Sequence, residues 1–288
     1  MHLSSRFSQP WYIDNSAIAP LMERLRLGSS VHVVQNQPQA LTIGDFIHQR
    51  QPMMITQEGI AVIEVCGTLG RNLSNYEKIC GDTDYNDIMS DVGEAVADDR
   101  VKGIMILNDS GGGSVVGAAE CRQAIVTATL KKPVLTYTES CEGSACYMIG
   151  AGATKKIAAA SSIVGSIGTI LARLDISGYY EQLGVKFNVM PATQSDLKST
   201  FWAQTPLTDA QRDNLQQWLD RLNVDFMSFV KLHRMDVEDD TMRGQCFDGL
   251  EAATRGLVDE VGNFDEAYEE IVALSQDYVG LDDLEDED

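Results

Sequence analysis

From Gly59 onward, short runs of β-branched and apolar residues alternate with stretches of helical period. GIAVIEVCGTL, residues 59–69, reads as a buried strand, because apolar side chains crowd it and glycines bound it. Residues Tyr85–Asp98 carry an amphipathic helical pattern, and KGIMIL at Lys102–Leu107 is a second buried strand. An alanine-rich helix follows at Ser114–Leu130, then a strand at Pro133–Thr138 (PVLTYT), a short helix at Ala145–Ala153 and a strand at Lys156–Ala160. Asp175–Leu183 and Lys186–Met190 repeat the helix-then-strand pattern. Thr208–His233 predicts a long helix, opened by Pro206 and Thr208, with Leu215, Leu219, Leu222, Phe226 and Phe229 at helical spacing. This alternation predicts an α/β domain with a largely parallel sheet.

Residues 1–55 have weak periodicity and Gln- and Pro-containing turns, and are read as a leader arm with a short helix around Ile18–Leu27. Residues 56–276 form the expected catalytic domain, and 277–288, ending GLDDLEDED, an acidic, solvated tail or the start of a docking or scaffold-linking segment.

The chain has 288 residues, 44% of them hydrophobic, enough for one large core. No uncharged apolar run reaches the length of a membrane span, and the start lacks an apolar segment of secretory type. A net charge of −21 argues against a nucleic-acid surface, which needs clustered Lys and Arg. The six cysteines form no CxxC pair and mostly lie in apolar segments, which predicts reduced, buried thiols. Their scatter, and four histidines without metal-ligand spacing, predict no metal and no cofactor.

Two stretches bear chemistry. NDSGGGSV, residues 108–115, lies between a strand and a helix. Three glycines leave backbone N–H groups uncovered, as phosphate binding or an oxyanion hole requires; a plain tight turn is the alternative. No GK[ST] follows, which weakens the phosphate reading. In CEGSACYMIGAGA, Ser144 opens a helix, where the N–H of Ala145 has no helical acceptor. A hydroxyl there can attack a carbonyl, yet serine is also a favoured N-cap needing no further role. A nucleophilic serine needs a base. None of His2, His32, His48 and His233 falls in a strand-end loop near the glycine turn. Among lysines, Lys155 and Lys156 open a strand and are expected to face solvent. Lys198 lies in a loop beside Phe201 and Trp202, which can keep water off the amine; an exposed loop lysine is the alternative.

Taken in order, IAVIEVCGTL, ILNDSGGGSV, GSACYMIGAGATKKIAA, IVGSIGT, DLKS…TP and FDGLEAATRGLVDEVG resemble the signal-peptide-peptidase-A-like serine peptidases over roughly residues 59–268. The resemblance implies a Clp-protease/crotonase-like spiral of ββα units. It implies Ser144 as nucleophile, Lys198 as general base, Ser166 as the hydroxyl orienting the lysine amine, and the backbone N–H groups of Gly113 and Ala145 as the oxyanion hole. It also implies a ring-shaped homo-oligomer in which Lys198 can reach the serine of a neighbouring copy. The family usually has SPGGS at the glycine turn, where this chain has Gly111 in SGGGS, and often glycine where it has Cys146. QPWYIDNSAIAPLMERL is similar to the leader of phage head-maturation proteases, which implies cleavage of scaffold, portal or capsid proteins, and of the chain itself, inside the procapsid in the host cytoplasm. Alternatives are a soluble signal-peptide peptidase, a non-catalytic assembly or scaffold protein on the same fold, and an acyl-CoA enzyme of crotonase type.

Overall fold

A computed structural model describes residues 11–13 and 53–278 of the chain. In chain order the strands are β1 (Trp11–Ile13), β2 (Met54–Ile55), β3 (Ile60–Cys66), β4 (Leu69–Gly70) and β5 (Thr83–Asp84), with helix α1 (Asn75–Ile79) before β5 and α2 (Tyr85–Ala97) after it. Next come β6 (Gly103–Asp109), β7 (Gly112–Ser114), α3 (Ala118–Ala128), β8 (Val134–Thr138), β9 (Cys141–Gly143) and α4 (Ala145–Gly150). The chain continues through β10 (Lys155–Ala158), β11 (Ile163–Gly165), α5 (Ser177–Gln182), a 3₁₀ turn at Thr193–Ser199 and α6 (Asp209–His233). It ends in β12 (Cys246–Asp248), α7 (Gly249–Thr254), β13 (Glu260–Val261) and α8 (Phe264–Asp277).

Three consecutive units share one plan: a long strand, a short strand set off from it, then a helix, as in β6–β7–α3 and β8–β9–α4. This is the ββα spiral that the resemblance implies. The main sheet, whose inner strands are the long ones, has the order β13-β10-β8-β6-β3-β2, parallel except for β2. The short strands form two separate sheets, β1-β7-β4-β5 and β12-β11-β9. Alternation along each long strand feeds two cores. One face (Ile63, Val65, Ile104, Ile106, Val134) packs on α2, α3 and α4, and the other (Val62, Met105, Leu135, Ile157) packs on Ala267 and Ile271 of α8. Each fully buried aliphatic side chain contributes about 1.5–3 kcal/mol.

Helix starts are specified locally. Thr208 and Gln211 form a capping box at α6, and Asn263 and Glu266 form one at α8.

Several expectations need correction. Lys186–Met190 forms no strand: its residues are mostly exposed and have no neighbouring strand to pair with. The alanine-rich helix starts at Ala118 rather than Ser114, because Gly112–Ser114 is drawn into β7. Only Cys121 and Cys146 are buried, while Cys80 and Cys246 are exposed. Lys156 is not solvent-facing but fully buried. The helix around Ile18–Leu27 and the acidic residues beyond Tyr278 lie outside the described residues.

Candidate active site

Ser144 follows β9 and sits at the N-cap position of α4, yet it caps nothing. Its side chain accepts no helix N–H, and its backbone holds φ 52°, ψ −115°. That positive φ is unfavourable for a residue with a Cβ. The side chain is fully buried, and Oγ has no hydrogen-bond partner among the described residues. The cap alternative is thereby excluded by geometry: a capping serine uses its oxygen, and this one does not.

The backbone around Ser144 is held from two sides. Its N–H donates to the Gly165 carbonyl at 2.8 Å, and its carbonyl accepts from Met148 N at 2.8 Å. β9 and β11 run parallel with Gly143 opposite Gly165, so Ser144 and Ser166 leave the same sheet end side by side. Ser166 also has a positive φ, 51°, and its N–H donates to the Gln245 carbonyl at 2.6 Å. The structure thus brings Ser144 and Ser166 together.

The glycine turn is zipped onto the same place. Ser110 N donates to the Cys141 carbonyl and Gly143 N to the Ser110 carbonyl, both at 2.9 Å. Ser110 Oγ ties the turn to the Gly67 carbonyl at 2.6 Å and accepts from Gly112 N at 3.1 Å. Gly113 lies opposite Leu69 of β4, where a Cβ would fall 1.9 Å from the Leu69 carbonyl oxygen. Only glycine fits there. Ala145 is the first residue of α4, so its N–H has no intrahelical acceptor. On the other edge of β7, β1 pairs antiparallel, with Tyr12 opposite Gly113.

Lys198 is not brought to this centre within one chain. It sits in the 3₁₀ turn as an exposed residue, and Ser144 Oγ meets no amine. Phe201 and Trp202 do not shield it, being 39% and 51% exposed themselves. His233, at the end of α6, packs its ring against Phe229 at 4.6 Å.

Sequence reasoning missed the charges beneath Ser144. Glu142 and Lys156 are both fully buried and form an ion pair. Lys156 Nζ also donates to Thr136 Oγ1 at 3.0 Å and lies 4.9 Å from the centre of the Tyr147 ring. Burial outweighs the attraction of Glu142 and lowers the pKa of the Lys156 ammonium. The pair is a strut under the loop that carries Ser144. A signal existed: Lys155 and Lys156 alternate on one strand, so one must point inward. Lys155 points out, to Glu260 and Glu270 at 2.8 and 2.7 Å. The Cys146 thiol, two residues after Ser144 in α4, is pushed up by burial and by Glu142, which keeps it protonated and inert.

A ββα spiral that sets a strained, unpartnered serine at a helix start, beside a glycine turn, is the arrangement that a nucleophilic serine needs. The chain belongs to peptidase family S49, which it matches over residues 127–276. It is 28% identical over 212 residues to the capsid assembly protease C of Escherichia phage lambda, covering 73% of this chain and 48% of that protein. It is 27% identical over 212 residues to the head-tail preconnector protein GP5 of Enterobacteria phage P21 (73% and 42%), and 29% identical over 223 residues to Protease 4 of Haemophilus influenzae (76% and 35%). The chain spans about half the length of the curated relatives it matches.

Proposed function

We propose that this protein is a serine endopeptidase with a Ser144–Lys198 dyad, acting on scaffold, portal or capsid proteins, and on itself, during phage head maturation inside the procapsid. The observation that carries the reading is the Ser144 hydroxyl, buried, strained and unpartnered among the described residues. A polar atom held so at a cost has its partner elsewhere, in substrate or in another chain.

In this mechanism Ser144 Oγ attacks the scissile carbonyl while Lys198 Nζ takes its proton and later passes it to the leaving amine. The N–H groups of Gly113 and Ala145 receive the oxyanion. Ser166, beside Ser144 in register, orients the lysine amine. Water then hydrolyses the ester. Lys198 acts in a neighbouring copy within a ring. The exposed apolar side chains of the arm formed by residues 174–202, which carries Lys198, support this, among them Leu174, Tyr179, Leu183, Met190 and Trp202, which need a covering surface. β1 on the β7 edge is the pattern for substrate: an extended peptide taking the place of β1 as an antiparallel strand would run its backbone past Gly113.

The test is coexpression with the neighbouring head proteins and intact-mass analysis of all products. Wild type yields discrete fragments, whereas Ser144→Ala and Lys198→Ala each yield none while keeping the wild-type circular dichroism. Fragments persisting in the serine variant would refute the reading.

A further inference from the structure

A cavity of about 320 Å³ opens at the ends of β3, β6 and β8, on the sheet face that packs against α8. Glu64, Asp109 and Glu139 stand around it, with Leu107, Tyr137 and Phe264 as its apolar walls. None of the three carboxylates has a cationic partner among the described residues. Tyr137 is 3% exposed and its hydroxyl has no hydrogen-bond partner there. Its ring meets Phe264 edge-on, centroids 6.0 Å apart. A buried phenol oxygen without a partner, beside unpaired carboxylates, leaves both an acceptor and a negative field unanswered.

We infer that this cavity is a subsite for a basic side chain, arginine or lysine, of the protein substrate, and the inference rests on the reading of Ser144 as the peptidase centre. Leu107 and Phe264 hold the aliphatic stem and face the cationic head, which the carboxylates surround. A metal ion fits less well: among the described residues no group of three or more His, Cys, Asp or Glu is disposed to hold one. The carboxylates are spread around a volume rather than gathered on a point, as suits a planar guanidinium on a long stem. The cavity also lies near the chemistry. Asp109 is four residues before Gly113, and Ser140, at its rim, is four before Ser144. Four residues of chain span at most about 14 Å, so the rim of the cavity lies within that distance of Ser144, the length of about four extended peptide residues.

The test uses the full chain as Ser144→Ala, so that binding is read without cleavage. Short fluorescent alanine–serine peptides carry a single arginine scanned through every position, each paired with a twin in which citrulline, its neutral isostere, replaces it. Anisotropy titration is expected to show one position where arginine binds about tenfold tighter than citrulline. The preference weakens with salt and is lost in a Glu64→Gln/Asp109→Asn/Glu139→Gln background of unchanged thermal unfolding. Should that background fail to fold, Asp109→Asn and Glu139→Gln, both at exposed positions, each reduce the preference singly. Equal binding of the twins at every position, or a preference that survives removal of the carboxylates, overturns the inference. Cleavage of the same peptides by wild type is scored separately, so failure of Ser144 as nucleophile and failure of the subsite are distinct results.

Discussion

Ser144 and the residues under it are in tension, and that tension is measurable. A left-handed backbone at a serine costs of order 1–3 kcal/mol, which glycine would not incur, although glycine gives back about 0.5–1 kcal/mol in chain entropy. Ser144→Gly is therefore expected to raise the unfolding free energy by about 1 kcal/mol while abolishing cleavage; a urea titration that shows destabilisation contradicts the strain argument. The strut below behaves oppositely. Lys156→Met leaves the buried Glu142 carboxylate without the hydrogen-bond donor that a lysine supplies whether charged or neutral, and should cost about 3–5 kcal/mol, whereas Glu142→Leu combined with Lys156→Met recovers most of it. The pH dependence has a fixed sign. Because the folded-state pKa of Lys156 lies below the ordinary lysine value, the unfolded chain binds more protons between the two. Stability contributed by this group is then complete above the ordinary lysine value and is lost as pH falls through the lowered one. In alkaline urea titrations the midpoint of wild type rises with pH over that interval, and the Lys156→Met profile is flatter.

At the level of elements, length decided what could be read from the chain. The seven-residue strands β3 and β6 and the amphipathic helices α2 and α6 were legible because each repeats its period several times. The strands that build the site were not: β7, β9 and β11 have three residues each, too few for any period. The pairing Gly143 to Gly165, which sets Ser144 beside Ser166, is a long-range register that no local pattern encodes. The same holds for Lys186–Met190, whose alternation of apolar and polar residues resembles a strand that the fold gives no neighbour. Short strands make steric precision count. Gly113→Ala places a methyl against the Leu69 backbone, which cannot yield as a side chain would. We expect a loss of more than about 3 kcal/mol or a displaced turn, with phosphonylation of Ser144 by a serine-directed phosphonate probe abolished in either case. Gly111→Pro, which restores the family's usual turn, is expected to retain labelling by the same probe.

For the whole molecule, the separation of Ser144 from Lys198 is the main constraint. Ser144 is buried at the sheet end, while Lys198 is displayed on an arm whose apolar residues, Met190 at 94% exposure foremost, have no cover. An arm of this kind leaves apolar surface in water, and in the ring proposed above each arm would be covered by the next copy. Such a head-to-tail arrangement predicts complementation. Ser144→Ala and Lys198→Ala proteins are inactive alone, but each retains what the other lacks. Dissociated together and reassembled in equal amounts, they place an intact serine next to an intact lysine at about one site in four, since each copy of the shared site is drawn independently from the two variants. Recovery of about a quarter of wild-type cleavage, rising when one variant is mixed with wild type, is the expected result. If the dyad closed within one chain, every site in the mixture would still lack a residue, and activity would stay at the level of the separate variants. The same mixture made with Met190→Asp and Trp202→Asp in both partners should lose the recovery and sediment as smaller species, because burying a new charge under the arm opposes its docking.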